Sequence, residues 1–284
     1  MNEIYGSDAF SPQQIAERVQ NVGVVKARLA LRPMFMLSVL AGLFIGLGSL
    51  YFTLIVSDTT LGFAAGRVLG GLAFSLGLFL VVVAGAELFT GNNLLVMAWA
   101  AGRIRLDELA RNWCVVLVGN AVGAVGLAVL VFASGHTAMN QNAIAVKTLQ
   151  IAVAKCALSP TDAFLRGVLC NILVCLAVWM ALAGRSVVDK LAAIVLPVSA
   201  FVAAGFEHSV ANLYFLPLAL LMRWQGAATV QGIEALTVAA VGANLLWVVL
   251  GNIVGGSVGV AATYFVIYRE APKPTPAANP DLPA

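Results

Sequence analysis

The sequence GFEHSVAN at residues 205–212 lies in the middle of a long apolar run that extends from Leu191 to Met222. Glu207 and His208 are the only residues in this run that titrate near neutral pH or below. A membrane crossing needs about 20 helical residues, so the run is too long for one unbroken crossing. The glycine and polar residues at its centre therefore predict a membrane span that is broken into two half-helices.

The composition is that of an integral membrane protein. Hydrophobic residues make up 61% of the chain and charged residues 10%, whereas a soluble domain has about 45–50% and about 25%. The net charge is only +3 and no dense patch of Lys or Arg occurs, which argues against a nucleic-acid partner. The four cysteines show neither metal-ligand spacing nor a disulfide framework, so no metal site or cofactor is expected.

The apolar runs predict an all-α protein with six membrane spans. The second and fifth runs are much longer than one crossing needs, and each is interrupted near its middle by a polar stretch that contains glycine. The predicted spans are 33–56, 67–101, 110–133, 162–183, 188–222 and 237–268.

Two motif pairs indicate an internal repeat. GAELFTGN at 85–92 shares its Gly, Glu and Asn with GFEHSVAN, position for position, and GNAVG at 119–123 matches GNIVG at 251–255 in the same way. Each half then contains three spans. Because three is odd, the second half must insert with the opposite orientation, which predicts a 3+3 inverted repeat.

The paired breaks predict a transport site at the middle of the membrane. A broken helix leaves backbone N–H and C=O groups without partners, and hydrocarbon cannot bind them, so the breaks must face protein or a water-filled path. The N-terminus of a half-helix carries partial positive charge, which favours an anion.

The two ends of the chain are expected to lie outside the membrane. Ser11 and Pro12 are typical of a helix start, and 11–30 is predicted as an amphipathic helix on the membrane surface. The segment 1–32 lacks the pattern of a signal peptide, 33–268 forms the membrane domain, and the proline-rich 269–284 is predicted to be disordered. With the N-terminus inside, most of the Lys and Arg residues lie on the inner side, which places both termini in the cytoplasm.

The chain closely resembles the formate/nitrite transporter family. The resemblance covers roughly residues 10–270 and is carried by the paired motifs GAELFTGN and GFEHSVAN and by four longer stretches, at 70–96, 171–190, 196–217 and 251–268. It implies an aquaporin-like fold, a homopentamer with a pore in each protomer and lipid in the central opening, and location in a bacterial-type inner membrane. It also implies small monovalent anions or their acids as substrates: formate, nitrite, hydrosulfide, and in some members acetate or lactate.

The resemblance also implies residue roles. His208 corresponds to the central pore histidine, the loop 86–92 to a mobile element with Thr90 facing the pore, and Lys155 and Asn171 to a polar pair near the outer approach. The residues that correspond to the apolar constrictions are Phe74, Leu78, Leu88, Phe89, Val174, Phe201 and Ala211.

The polar residues at the two breaks also have purely structural interpretations. A histidine in a broken helix can simply bond backbone, but a pore position gives its titration near pH 6.5 a use, since a proton on the ring can neutralise a passing anion. Glu87 and Glu207 are interpreted as loop supports that accept bonds from backbone N–H groups freed by the breaks. Asn92 and Asn212 are expected to tie the loop backbone.

The predicted function is a channel or transporter for formate, with nitrite next, in which the central histidine couples transport to protonation of the anion. The residues do not separate formate from nitrite or hydrosulfide. The alternatives are a member of the same family that passes hydrosulfide, acetate or lactate, an aquaporin-like channel for neutral solutes, and an intramembrane enzyme. The enzyme is disfavoured because no nucleophile with a base, and no metal cluster, accompanies His208 in the sequence.

Overall fold

A computed structural model of the chain describes residues 9–269, so the predicted disorder of the proline-rich tail falls almost wholly outside the described residues. The regular secondary structure within that range is helical, apart from one isolated β-bridge between Ala9 and Gly184. The α-helices are α1 Pro12–Ala27, α2 Leu31–Val56, α3 Phe63–Leu80, α4 Val96–Ala100, α5 Leu106–Ala133, α6 Ala143–Cys156, α7 Pro160–Ala181, α8 Val187–Ala204, α9 Ser209–Gln225, α10 Val238–Val254 and α11 Thr263–Tyr268.

Six helical segments between residues 9 and 269 are long and apolar enough to cross a membrane, which confirms the predicted all-α fold with six spans. The third to fifth spans coincide with α5, α7 and α8, and the sixth joins α10 and α11 through a π-helical stretch, Gly255–Ala262. The six segments are Leu31–Val56, Phe63–Gly85, Leu106–Ala133, Pro160–Ala181, Val187–Ala204 and Val238–Tyr268.

Both predicted breaks are present, and each begins at a glycine. The second span runs through the π-helical turn Val81–Gly85 and then becomes extended at Ala86, while α8 ends at Ala204 with Gly205 as its C-cap. Gly85 and Gly205 have φ angles of +82° and +76°, in the left-handed region where a side chain is strained. The chain resumes as the 3-10 turn Gly91–Leu95 in the first half and as α9 in the second.

The close helix crossings repeat in the two halves. A Cβ atom on Gly123 of α5 would lie 1.9 Å from the Val39 carbonyl oxygen of α2, and one on Gly255 would lie 2.2 Å from the Val168 carbonyl oxygen of α7. Only a hydrogen atom fits at either position, so the backbones of the first and third spans of each half come into contact. Val39 and Val168 are therefore equivalent positions, and their pairing fixes the register that relates α2 to α7.

The repeat unit is larger than three spans. Helix α6 was not predicted, yet the register that pairs Val39 with Val168 also pairs Lys26 of α1 with Lys155 of α6. Lys26 and Lys155 each form an ion pair with the glutamate of the break in their own half, as described below. Each half therefore consists of one short helix followed by three spans.

Helix α1 begins as predicted. Ser11 Oγ accepts a hydrogen bond from the Gln14 backbone N–H, and Gln14 Oε1 accepts one from the Ser11 N–H. Part of its apolar face is covered by protein, because Ile15 and Val19 are buried in a cluster with Leu94 and Met97, whereas Val22 is exposed. The contact of this helix with the membrane surface stays a prediction.

Candidate functional site

Two cavities approach the centre of the bundle. The larger, about 680 Å³, reaches His208 and is called the His208 cavity; the smaller, about 360 Å³, reaches Leu88 and is called the Leu88 cavity. Leu88 is the residue that corresponds to His208 in the repeat. The two cavities therefore end at equivalent positions of the two breaks, one polar and one apolar.

Apolar side chains close the space between the cavities. Phe74 lines the His208 cavity, and Leu78, one turn later on α3, lines the Leu88 cavity. The Phe74 ring meets Phe201 edge to face, with centroids 5.8 Å apart, and Phe201 stacks on the His208 imidazole at 5.9 Å. His208 is thus held at the cavity floor by two aromatic rings, with only 4% of its surface exposed.

Both ring nitrogens of His208 are hydrogen-bonded. Nδ1 accepts from the Ala211 backbone N–H at 3.0 Å, which makes His208 the N-cap of α9. Since Nδ1 is an acceptor, the neutral ring carries its proton on Nε2. Nε2 lies 3.1 Å from Thr90 Oγ1, so in this tautomer the Nε2–H donates to the Thr90 hydroxyl. This hydrogen bond connects the first break, which carries Thr90, with the second break, which carries His208.

A lysine and a glutamate form an ion pair beside the first break. Lys26 Nζ is 2.9 Å from Glu87 Oε1, and the Asn92 amide donates to Glu87 Oε2 at 2.7 Å. The Asn92 amide also donates to Asn112 Oδ1, and the Asn112 amide donates to the Lys26 carbonyl. These four residues form a closed polar cluster on the wall of the Leu88 cavity.

The same cluster recurs beside the second break. Lys155 Nζ is 2.8 Å from Glu207 Oε1, and the Asn212 amide donates to Glu207 Oε2 at 2.7 Å. Asn244 completes the cluster, accepting from Asn212 at 2.8 Å and donating to the Lys155 carbonyl at 2.9 Å. Glu207 and Lys155 line the His208 cavity. Both cavities therefore have one buried or partly buried Lys–Glu pair.

The expectation that Glu87 and Glu207 accept backbone N–H groups is wrong. Each carboxylate is bonded by one lysine and one asparagine side chain, and the backbone groups have other partners. Asn120 Oδ1 accepts the Phe89 N–H at 2.9 Å, and Asn252 Oδ1 accepts the Ser209 N–H at 2.9 Å. The amides of Asn120 and Asn252 then donate to the carbonyls of the two glutamates.

Two further sequence predictions change. Asn92 and Asn212 bond the glutamate carboxylates and not the loop backbone, whereas the asparagines that do bond the breaks lie in the GNAVG and GNIVG motifs. Lys155 and Asn171 do not form a pair, because Asn171 is fully buried and donates to the carbonyls of Thr90 and Asn252.

The predicted constriction residues divide into two groups. Phe89 and Val174 line neither cavity; both are buried, and Phe89 meets the ring of Trp113 edge to face. The remaining five line a cavity: Phe74, Phe201 and Ala211 that of His208, and Leu78 and Leu88 the other.

The His208 cavity carries more positive than negative side chains. Arg67, Lys147 and Arg166 line it in addition to the Lys155–Glu207 pair, and Asp58 also lines it. Arg67 was not predicted as a site residue; it donates to the Ala203 and Val202 carbonyls at the end of α8. The Thr60 hydroxyl and N–H donate to the Asp58 carboxylate and hold its pKa below the ordinary value.

Metal-ligand chemistry has no visible place in the described structure. Within residues 9–269, no three His, Cys, Asp or Glu side chains come together in a way that could hold a metal ion. The charged and titratable side chains that line the two cavities are five cations, three carboxylates and the His208 imidazole, and the cations and the imidazole are groups that bind or protonate an anion.

Paired broken spans, a cavity on each side and a short apolar closure define a six-span membrane protein of the channel or transporter class. The chain belongs to the formate/nitrite transporter family, whose model matches residues 13–266. It is 39% identical to the formate channel FocA of Escherichia coli K12 over 271 residues, which cover 92% of this chain and 95% of that one. The formate channel FocA of Haemophilus influenzae is 35% identical, over 90% of this chain and 94% of that one.

Solved structures agree with this assignment. A pentameric formate channel with formate bound is 37% identical and has a TM-score of 0.80, covering 85% of this chain and 98% of that chain. An FNT family ion channel is 31% identical with a TM-score of 0.79, covering 89% and 98%. Fold and family together make the chain a multi-pass membrane channel or transporter.

Proposed function

We propose that the chain conducts formate, and nitrite next, across a bacterial inner membrane as a homopentamer, with both termini in the cytoplasm and no catalytic step. The relatives named as formate channels and the pentameric structure with bound formate support the substrate and the assembly. The observation that carries the proposal is the contact between His208 Nε2 and Thr90 Oγ1 at the floor of a cation-lined cavity.

The cations of the His208 cavity would attract the anion first. The charge of Lys155 is balanced by Glu207, so the net field comes from Arg67, Lys147 and Arg166, opposed by Asp58 alone. A low-dielectric cleft lined by one sign of charge raises the local concentration of the opposite ion. Lys155 contacts Glu207, the chain neighbour of His208, and would stabilise the anion before the dry section.

Proton and anion would reach His208 together. A second proton on the ring must bind at Nδ1, where it competes with the Ala211 N–H. The positive end of α9 also opposes a cation at this position. An anion beside the ring offsets both effects, so protonation becomes favourable when formate is present. The proton can then pass to the anion, which crosses the apolar section as a neutral acid.

Thr90 would connect this step to the loop. Its hydroxyl accepts from Nε2–H in the resting state, and an anion at the cavity floor competes for the same donor. Movement of the segment 86–92 would exchange one partner for the other and open the space between Leu78 and Leu88. The roles of Phe74, Phe201 and Ala211 would be to keep water away from the neutral acid.

A substrate competition assay tests the proposal. Purified protein in proteoliposomes should take up labelled formate at a rate that rises as external pH falls, with nitrite competing more effectively than acetate. Hydrosulfide as the best competitor would move the chain to another substrate within the family. Rapid water permeation without formate uptake would overturn the proposal in favour of an aquaporin-like channel.

A further inference from the structure

The backbone carbonyl of Thr90 is held by three buried side chains. It accepts from Asn93 Nδ2 at 3.3 Å, from Asn171 Nδ2 at 3.2 Å and from Cys175 Sγ at 3.4 Å. Each donor side chain belongs to a residue that is 0% exposed. Asn93 comes from the turn that follows the first break, whereas Asn171 and Cys175 come from α7, in the other half of the chain.

One glycine of the sixth span packs against all three donors. A Cβ atom on Gly256 would lie 2.5 Å from Asn171 Nδ2, 2.6 Å from Asn93 Cβ and 2.8 Å from Cys175 Sγ. Gly256 belongs to the π-helical stretch Gly255–Ala262, and its neighbour Ser257 donates to Asn93 Oδ1 at 3.2 Å. Such π-helical insertions are frequent at functional sites. The donors, the glycine and the carbonyl form a unit that we call the Thr90 cradle.

The second break has no such cradle. Its break carries no hydroxyl at the position of Thr90, and its helix α9 continues directly from the break. Aligning the two motif pairs, and α2 with α7, gives the residue that corresponds to each member of the cradle in the other half. None of these corresponding residues has a side-chain donor. These counterparts are Val210 for Thr90, Leu213 for Asn93, Gly42 for Asn171, Gly46 for Cys175 and Ala124 for Gly256.

This difference distinguishes residues that position Thr90 from residues that only support a break. Asn120 and Asn252 bond the two breaks in the same way, so building a break requires no cradle. The cradle surrounds only the first break, whose loop carries the Thr90 hydroxyl that contacts His208. Threonine is restricted at χ1, so fixing its backbone leaves Oγ1 few positions, and the occupied one lies 3.1 Å from His208 Nε2.

We propose that Asn93, Cys175 and Gly256 are positioning residues that set the Thr90 hydroxyl against His208 and thereby tune the proton-dependent step of transport. This inference rests on the proposed function of His208. The charged groups that share the cavity with His208 are Arg67, Lys147, Lys155, Arg166, Glu207 and Asp58, and none of them contacts the cradle within the part of the chain that the structure describes.

The test compares two cysteines on one helix. Cys175→Ala removes a cradle donor, while Cys170→Ala removes a thiol of the same size that is equally buried on α7 and has no hydrogen bond to the described loop 86–92. An acceptor oxygen stabilises a protonated ring more than a neutral one. We therefore expect Cys175→Ala to move the pH midpoint of formate flux down by about half a unit, Cys170→Ala to leave it in place, and Cys175→Ser to restore it.

Gly256→Ala perturbs all three donors at once and should shift the midpoint by about one unit. Its control is Gly126→Ala on α5, where a Cβ atom meets nothing within 4 Å. Equal midpoints for Cys175→Ala and Cys170→Ala would overturn the proposal. If Gly256→Ala does not assemble, the cysteine comparison decides alone.

A second readout separates failure of this inference from failure of the proposed function. Hydrogen–deuterium exchange of the amides in 86–92 needs no transport. We expect faster exchange in Cys175→Ala than in the Cys170→Ala control, even if His208→Asn were to leave the pH dependence of flux unchanged. Unchanged exchange in Cys175→Ala and Gly256→Ala would contradict a positioning role for the cradle.

Discussion

At the scale of single residues, the hydroxyl of Thr90 is the group that connects the two halves at the centre of the protein. It contributes one hydrogen bond to His208 inside a buried site, where losing a partner costs about 1–3 kcal/mol. The carbonyl of the same residue is bonded by three side chains. Thr90 is therefore fixed at both ends, in a loop that the proposed transport step requires to move.

Thr90→Val removes the hydroxyl and keeps the side-chain shape. We expect formate flux to fall about tenfold, because the protonated His208 ring loses an acceptor worth about 1.4 kcal/mol. Flux into proteoliposomes at one pH measures this. The matched control is Thr53→Val, which removes a buried hydroxyl that bonds the Ser49 carbonyl within α2. Equal flux in the two variants would exclude a role for the Thr90 hydroxyl.

The Lys155–Glu207 pair should be more important for stability than the Lys26–Glu87 pair. The side chain of Lys155 is 14% exposed and that of Lys26 is 26% exposed, so Glu207 has less access to water when its partner is removed. We expect Lys155→Met to destabilise the protein by about 3 kcal/mol and Lys26→Met by less, measured by unfolding in detergent.

The double variant Lys155→Met with Glu207→Gln supplies the control. It removes the unpaired buried carboxylate, so stability should recover while formate affinity stays low. If Lys155→Met and the double variant are equally unstable, packing of the lysine stem rather than the buried charge explains the loss.

The sequence marked the candidate site residues but not their partners. His208, Thr90, both glutamates and Lys155 were found because a motif pair and a family resemblance marked them. Lys155 lies 52 residues from Glu207 and 89 residues from Asn244, and no local spacing indicates such contacts. The asparagines that bond the breaks lay inside the repeated GN motifs, so their duplication was the signal that could have assigned them.

At the scale of elements, the breaks were predictable and the short helix α6 was not. A glycine with polar neighbours inside an apolar run too long for one crossing has few other interpretations. Helix α6 has 14 residues, too few for a crossing that needs about 20, and so a prediction based on span length omits it. Its recognition needed the contact between Lys155 and Glu207, which exists only in three dimensions.

The crossing of α2 and α5 depends on one glycine. Gly123→Ala would place a Cβ atom 1.9 Å from the Val39 carbonyl oxygen, and backbone cannot yield to it cheaply. We expect little or no monodisperse protein after detergent extraction, as measured by size-exclusion chromatography. Gly126→Ala, one turn later on the same helix, meets nothing within 4 Å and should behave like the parent. A normal elution profile for Gly123→Ala would show that the crossing can open.

At the scale of the whole molecule, the two halves share a framework and differ in chemistry. The crossings, the breaks and the Lys–Glu–Asn–Asn clusters repeat. The imidazole, the cradle and the additional cations do not. Two short motif pairs were enough to predict the inverted repeat. The departures from symmetry became visible only when the equivalent positions could be matched through their contacts.

The unequal charge of the two cavities predicts a directional salt effect. Arg67, Lys147 and Arg166 line the His208 cavity, and the Asp58 carboxylate opposes them. Among the described residues that line the Leu88 cavity, Lys26 and Glu87 are the only charged ones. Raising the salt concentration from about 10 mM to about 300 mM strongly screens the electric field of the His208 cavity. We expect formate flux at low substrate to fall several-fold when formate starts on the His208 side, and less from the other side. Equal sensitivity in vesicles of known orientation would contradict this.

The central claim is that His208 provides the proton-dependent step, and His208→Asn tests it most directly. Asparagine is a good N-cap residue, so it can still accept the Ala211 N–H and preserve the start of α9, while it cannot titrate. The measurement is formate flux into proteoliposomes as a function of pH, for the parent and for His208→Asn at equal amounts of assembled protein. We predict that the rise of flux at acidic pH is lost in His208→Asn. An unchanged pH dependence in that variant would contradict the account.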